Sequence, residues 1–432
     1  AGRGISLPSL SSAAASMSAH ATGAYARIRE QFGIPVGKFE GVQRRLGRVA
    51  ANAYTLDAAR RLTCAGLDEG RKLAVISGIM KSNATYRMRE AVDDAMDVHA
   101  GKAVIDGPNN YLGNFHKAVP VGITVEGANI LTRNMIIFGQ GAIRCHPYLL
   151  DEILALDKES HEEALDAFDK AFWAHVSHSA KTVFRAAGRA WTGAAFAPAP
   201  KAGKATGIYR HMSRYAAAFA LVSDFALLTL GGSLKRKEML SARLGDVLSE
   251  LYLLSAVLKR WEDEGRIAED FPLVQWAAED SFAKIARSLD ELLANLPNRP
   301  AAFFLRAVTL PRDSHGGPSD DLTRECAELL LAPSATRDRL TKGVRAVSGE
   351  GALKALEDAF AAVVETEPLR RKLRHAKLTL DEAVEQKKLS AEEAQRLRDA
   401  EALVDKVIAV DDFDPSEIGR GHADYEHKDA AE

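Results

Sequence analysis

The chain has 432 residues, 47% of them hydrophobic and 27% charged, and its 57 Lys and Arg nearly cancel its 59 Asp and Glu to leave a net charge of -2. Such a composition excludes a disordered chain, and the balanced charge removes any global field that would recruit nucleic acid or an anionic membrane. Three scattered cysteines, Cys64, Cys145 and Cys326, form neither a disulfide framework nor a zinc cluster, and point to a reducing, cytoplasmic compartment.

The sequence opens Ala1-Gly2-Arg3-Gly4, without Met and without the basic, apolar and small-residue succession of a signal peptide, so it reads as an internal piece or a processed product. Proline is scarce and apolar residues recur at helical rather than alternating spacing, which predicts an all-α fold. Val42, Leu46, Val49, Ala50, Ala53 and Leu56 mark one face of a packed helix. A second helix is expected over 73–98 and a third over 130–138, with a glycine-rich loop over 101–113 between them. Three long helices with short connections suggest an up-down bundle.

Past Pro147 helices are expected over 148–158 and 162–185, followed by a loop over 197–204 rich in Ala, Pro and Gly. An apolar helix follows over 215–230. Its uninterrupted apolar runs are too short for a bilayer, because Ser223 and Asp224 break them, so a buried or membrane-surface helix is expected. A long amphipathic helix over 241–264 and a charged helical region over 369–407 come next, and the tail from Asp411 is expected to fray.

Several side chains carry possible chemistry. Gly139-Gln140-Gly141 after an apolar run superficially matches a dinucleotide fingerprint, but the third glycine and a parallel βαβ context are missing, so a helix end is the better reading. His175 and His178 stand at i, i+3 and would share a metal only if carboxylates joined them; they read as structural, and no metal site is assigned. Asp224 needs a partner such as Arg214 or exposure. The Lys235-Arg236-Lys237 run beside the apolar helix suits anionic headgroups or a plain solvated loop.

The segment Val125-Glu126-Gly127-Ala128 sets one acid between apolar and small residues at a loop-helix junction. A carboxylate with apolar neighbours can be poised as a general base, and Gly127 lets a substrate approach the backbone; the plain alternative is a helix-end acid favoured by the dipole.

In order along the chain, Arg29-Glu30-Gln31-Phe32-Gly33, Phe39-Glu40-Gly41-Val42-Gln43, Asp94-Ala95-Met96-Asp97-Val98-His99-Ala100-Gly101 and Val125-Glu126-Gly127 together resemble the C-terminal helical domain of the acyl-CoA dehydrogenases. The string from Thr124 to Tyr148 further resembles the large bacterial long-chain enzymes, which carry an additional helical region. The resemblance implies an acyl-CoA dehydrogenase-type helical bundle over 1–148 and a helical extension over 149–432. It implies an FAD-dependent oxidoreductase of fatty acid β-oxidation that converts fatty acyl-CoA to trans-2-enoyl-CoA and passes electrons to an electron-transfer flavoprotein. Glu126 takes the place of the α-proton base, and Val125 and Gly127 adjoin the substrate. Arg29, Gln31 and Phe32 match FAD contacts, Ala100 and Gly101 match a loop that reaches the flavin nucleotide of the adjacent subunit in a homodimer, and Asp97 and Ala128 stand at further cofactor positions. Asp97 replaces a usual glutamine, so its charge calls for a nearby arginine. The alternative reading is a non-catalytic helical interaction or membrane-surface module, with a peripheral contact at the inner face of the membrane.

Overall fold

The computed structural model describes residues 2–139, 141, 146–311, 316–344 and 351–413. The bundle begins with α1 (Leu7–Ile28), α2 (Glu40–Asp68) and α3 (Ala74–His99), with a two-residue antiparallel hairpin of β1 (Glu30–Gln31) and β2 (Ile34–Pro35) between α1 and α2. These two strands are the only ones among the described residues, which confirms the all-α reading and leaves no parallel βαβ unit for a dinucleotide fingerprint. Gln140 of that motif, and residues 142–145 with Cys145 among them, lie outside the described residues.

Helix α1 has no counterpart in the sequence reading. Ala14, Ala15, Ala19, Ala21 and Ala24 are buried, as are Ser11, Ser18 and Thr22, so small and hydroxyl side chains form most of its packed surface, and only Leu10 and Ala13 near its start are exposed. Pro8 sits in its first turn, where a missing N–H is harmless.

The loop expected over 101–113 holds a helical turn, α4 (Gly101–Val104), and is followed by α5 (Gly113–Thr124), which packs on α3. Pro120 inside α5 masked it as loop. The third predicted helix is reduced to α6 (Asn129–Leu131) followed by wide π-type turns over Thr132–Ile137.

The remaining helices are α7 (Leu149–Leu156), α8 (His161–Trp191), α9 (Thr206–Leu230), α10 (Glu238–Asp263), α11 (Phe271–Asn295), α12 (Arg299–Thr309), α13 (Asp320–Leu331), α14 (Ala335–Thr341), α15 (Ala352–Ala376), α16 (Leu380–Glu385) and α17 (Ala391–Ile408). Helices α10 and α13 pack directly on α2, and α15 packs on α1. One apolar core therefore runs from Leu46, Val49 and Tyr54 through Leu244, Leu253 and Trp261 to Cys326 and Leu330. Glycines make the closest seam: a Cβ on Gly23 would lie 2.5 Å from the Leu330 carbonyl oxygen, and one on Gly47 would collide with the Thr323 carbonyl oxygen.

The stretch Gly203–Lys235 is the one described segment long and apolar enough to cross a membrane, with mean hydropathy 1.6, and 39% of its apolar window is buried. Asp224 within it pairs with His146 Nε2 at 2.9 Å and accepts from Ser179 Oγ at 2.9 Å, which corrects the expected pairing with Arg214. The start of the tail is pinned rather than frayed, because Asp411 accepts from Asn109 Nδ2 at 2.8 Å; residues 414–432 lie outside the described residues.

Candidate active site

Glu126 sits at the tip of the turn between α5 and α6, with φ +55°, and Gly127 follows at φ +87°. A left-handed conformation is easy for glycine but unusual for glutamate, so the turn is held by its surroundings. Lys81 does much of that holding. Its side chain is fully buried on α3, and Nζ donates to Ile123 O at 2.8 Å, Gly127 O at 2.8 Å and Asn129 Oδ1 at 2.7 Å, using all three of its hydrogens. Asn129 Nδ2 in turn donates to Thr85 Oγ1 at 2.9 Å, Thr132 Oγ1 donates to Gly127 O at 3.1 Å, and Arg3 Nε donates to Glu126 O at 2.6 Å. Burial pushes the Lys81 ammonium below its ordinary range, Arg3 adds to that shift, and Glu126 opposes it.

The turn borders a cavity of about 570 Å³ lined by Arg3, Ile5, Thr63, Leu67, Leu73 and Glu126 among others. Its walls are largely aliphatic, with Glu126 as the one carboxylate among the residues that line it. Val125 and Ala128 are exposed, so the apolar shielding expected from Val125 is not made within this chain. Lys81 carried a signal that the sequence reading missed: it lies in register with Ala84, Thr85, Met88 and Val92 on the buried face of α3, where a lysine demands partners.

The other expected site residues gather at the opposite end of the bundle. Tyr25 on α1 stacks on His99 at the end of α3, with ring centroids 4.2 Å apart, so the hairpin after α1 and the turn after α3 are neighbours. Arg29 is half-buried at the C-terminal end of α1, Gln31 is exposed, and Phe32 is 94% exposed at the hairpin tip. Among the described residues Arg29 makes no ion pair. Asp97 is exposed and pairs with Arg45 at 3.3 Å, which supplies the arginine its charge calls for. Ala100, at φ +50°, and Gly101 turn the chain from α3 into α4, presenting exposed backbone. Lys81 and His99 are eighteen residues apart on α3, about 27 Å of helix rise. The Glu126 turn and the Arg29–Gln31–Phe32 hairpin therefore do not meet within one chain.

A second polar cluster lies in the extension. His146, His175 and Asp224 bring ligand-type atoms within 4.8 Å of one another. Backbone N–H groups of Tyr148 and Leu149 donate to His146 Nδ1 at 3.2 and 3.0 Å, so Nε2 bears the proton and donates it to Asp224. That tautomer leaves Nε2 without a lone pair for a metal, and His175 Nδ1 is engaged by Glu152 at 2.8 Å. Burial pushes the Asp224 carboxyl up, but hydrogen bonds from His146 and Ser179 outweigh it and hold the group below its ordinary value. His175 and His178 thus do not act as a pair; the cluster ties α7, α8 and α9 together.

A family model described as "Acyl-CoA dehydrogenase, C-terminal domain" matches residues 8–139, and one described as "Acyl-CoA dehydrogenase, C-terminal, bacterial type" matches residues 143–413. This chain belongs to the acyl-CoA dehydrogenase family. Among solved structures it is similar to an acyl-CoA dehydrogenase complexed with FAD from Bacillus anthracis, with a TM-score of 0.56 and 16% identity over 76% of this chain. The likeness is one of fold, and the match spans 55% of that structure's chain.

Proposed function

We propose that this chain is the C-terminal part of an FAD-dependent acyl-CoA dehydrogenase that oxidises a fatty acyl-CoA to the trans-2-enoyl-CoA in β-oxidation, with Glu126 as the α-proton base. The observation that carries this reading is the Glu126 turn itself: a carboxylate on a left-handed residue beside an aliphatic cavity, fixed through Gly127 and Asn129 by a buried lysine. Strain retained by several converging hydrogen bonds is characteristic of functional turns.

The residues present fit a flavin dinucleotide. Arg29 is an unpaired cation suited to a pyrophosphate, Phe32 offers an exposed ring, Gln31 and the Ala100–Gly101 backbone are free to contact the cofactor, and Arg45 offsets the charge of Asp97. Bound FAD would accept the β-hydrogen as hydride at N5. In this reading Glu126 receives the α-proton, Val125 and Gly127 would adjoin the thioester, and Ala128 would contact the cofactor. Covering the exposed turn with the rest of the enzyme would exclude water from the reacting atoms. About 27 Å of α3 separates Lys81, which holds the Glu126 turn, from His99, which stacks on the helix leading into the hairpin, and this supports a homodimer in which the hairpin of one copy serves the flavin of its partner. An electron-transfer flavoprotein would be the acceptor for the cofactor's electrons in this reading.

The test uses the intact enzyme. Glu126→Gln should keep its FAD yet slow flavin reduction by palmitoyl-CoA by roughly 10²–10⁴-fold in anaerobic stopped flow. Reduction at the wild-type rate would overturn the assignment. Arg29→Ala should lose flavin on gel filtration while its helicity stays unchanged; full retention would return Arg29 to a surface charge.

A further inference from the structure

A separate cavity of about 790 Å³ opens between the turns after α6, helix α7, the end of α9 and the start of α10, and shares no lining residue with the Glu126 cavity. Its volume lies in the roughly 300–1,000 Å³ range of small-molecule sites. Phe138 and Leu234 form buried wall, with Leu227, Met135 and Ile153 also lining it. Polar lining is confined to Asn134, Lys235 and Ser241.

Lys235 is the only charged residue among those that line the cavity, and the acid Glu238 comes only after the basic run. Lys235 lines the opening, and Arg236 and Lys237 follow it directly; all three are exposed. Among the described residues no carboxylate lies within ion-pair distance of any of them, whereas Arg133 beside the cavity is paired with Asp246 at 2.6 Å. Leu228, 81% exposed, and Met239, 75% exposed, flank this basic turn on either side in sequence. An aliphatic lumen with a cationic rim is complementary to a molecule with a long apolar tail and an anionic head.

We propose that this cavity binds a single long acyl chain carrying an anionic headgroup, with the chain between Leu227, Phe138 and Ile153 and the head at Lys235–Lys237. The same chemistry belongs to a free fatty acid and to an anionic phospholipid presenting one chain from a bilayer. The inference does not rest on the role of Glu126.

Gly232 provides a test with little risk to folding. It lines the opening, and an added Cβ there meets nothing within 4 Å, so Gly232→Trp fills the mouth from an exposed position. Titration of the intact enzyme with cis-parinaric acid should show a saturable site that palmitate displaces. The methyl ester of the same acid, and the Lys235→Glu/Arg236→Glu/Lys237→Glu variant with the acid, should each bind roughly ten-fold or more weakly. Gly232→Trp should abolish the site while the circular dichroism spectrum is unchanged. Flotation with phosphatidylcholine vesicles, with and without phosphatidylglycerol, separates the sources. Capture only by the anionic vesicles, lost in Gly232→Trp, without binding of the free acid, supports the proposal with a bilayer lipid as the ligand. Failure of both acid and anionic vesicles to bind, equal binding of acid and ester, or full binding by Gly232→Trp overturns it.

Discussion

The Lys81 ammonium donates to the Gly127 carbonyl oxygen at 2.8 Å, one peptide beyond Glu126, so a cation buried in α3 sets the conformation of the turn that displays the carboxylate. It points at the backbone rather than at the acid. The geometry of Glu126 is therefore governed by a residue forty-five positions earlier, and the acid remains free to face the cavity.

Lys81→Met keeps much of the length and apolar character of the stem but leaves Ile123 O and Asn129 Oδ1 without this donor. An unmet buried acceptor costs about 1–3 kcal/mol, so a loss of that order or somewhat more is expected. Urea unfolding reads the stability. Hydrogen exchange at the amides of residues 125–129 should accelerate in the variant more than in the middle of α2. Uniform acceleration throughout the bundle would show that Lys81 supports the core and not the turn.

His99 makes stability depend on pH. Nδ1 donates to Ala95 O at 2.8 Å, so Nε2 accepts from Tyr111 Oη at 3.0 Å, and burial pushes the imidazole down from 6.5 to about 4. Between those values the unfolded chain binds the proton and the folded chain does not. Stability is thus fully present above pH 6.5 and falls as pH drops toward 4, by about 3 kcal/mol in all. Denaturation at pH 7 and pH 4.5 should show this slope, and His99→Phe should flatten it. An unaltered slope in the variant would assign the acid sensitivity to other groups.

Two glycines in α2 should respond oppositely to alanine. Gly47→Ala drives a methyl into the Thr323 carbonyl and side chain, prising α13 from α2 at a cost of roughly 1–3 kcal/mol. Gly41 is exposed with nothing within 4 Å of an added Cβ, so Gly41→Ala should stabilise by up to about 1 kcal/mol through helix propensity. Thermal melts of both proteins test the pair. Equal melting temperatures would mean that the seam between α2 and α13 opens without loss.

The sequence by itself determined the all-α class and located α2, α3, α7, α8, α9 and α10, because apolar residues recur there at helical spacing with little proline, whereas residues 265–368, which hold α11 to α14 and the start of α15, carried no expectation. It also determined the family, through short motifs whose order along the chain is informative before any contact is known. Helix α1, built largely of buried alanine, serine and threonine, also escaped, and α5 was hidden by Pro120. Tertiary structure alone decided which residues meet. Asp224 found His146 and Ser179 instead of Arg214, because the nearest helical neighbour in sequence is not the nearest group once α7, α8 and α9 converge. It likewise placed Glu126 and Arg29 at opposite ends of one bundle. Side-chain partners are set by the packing of distant segments into a shared low-dielectric interior, and spacing along one helix carries no record of that packing.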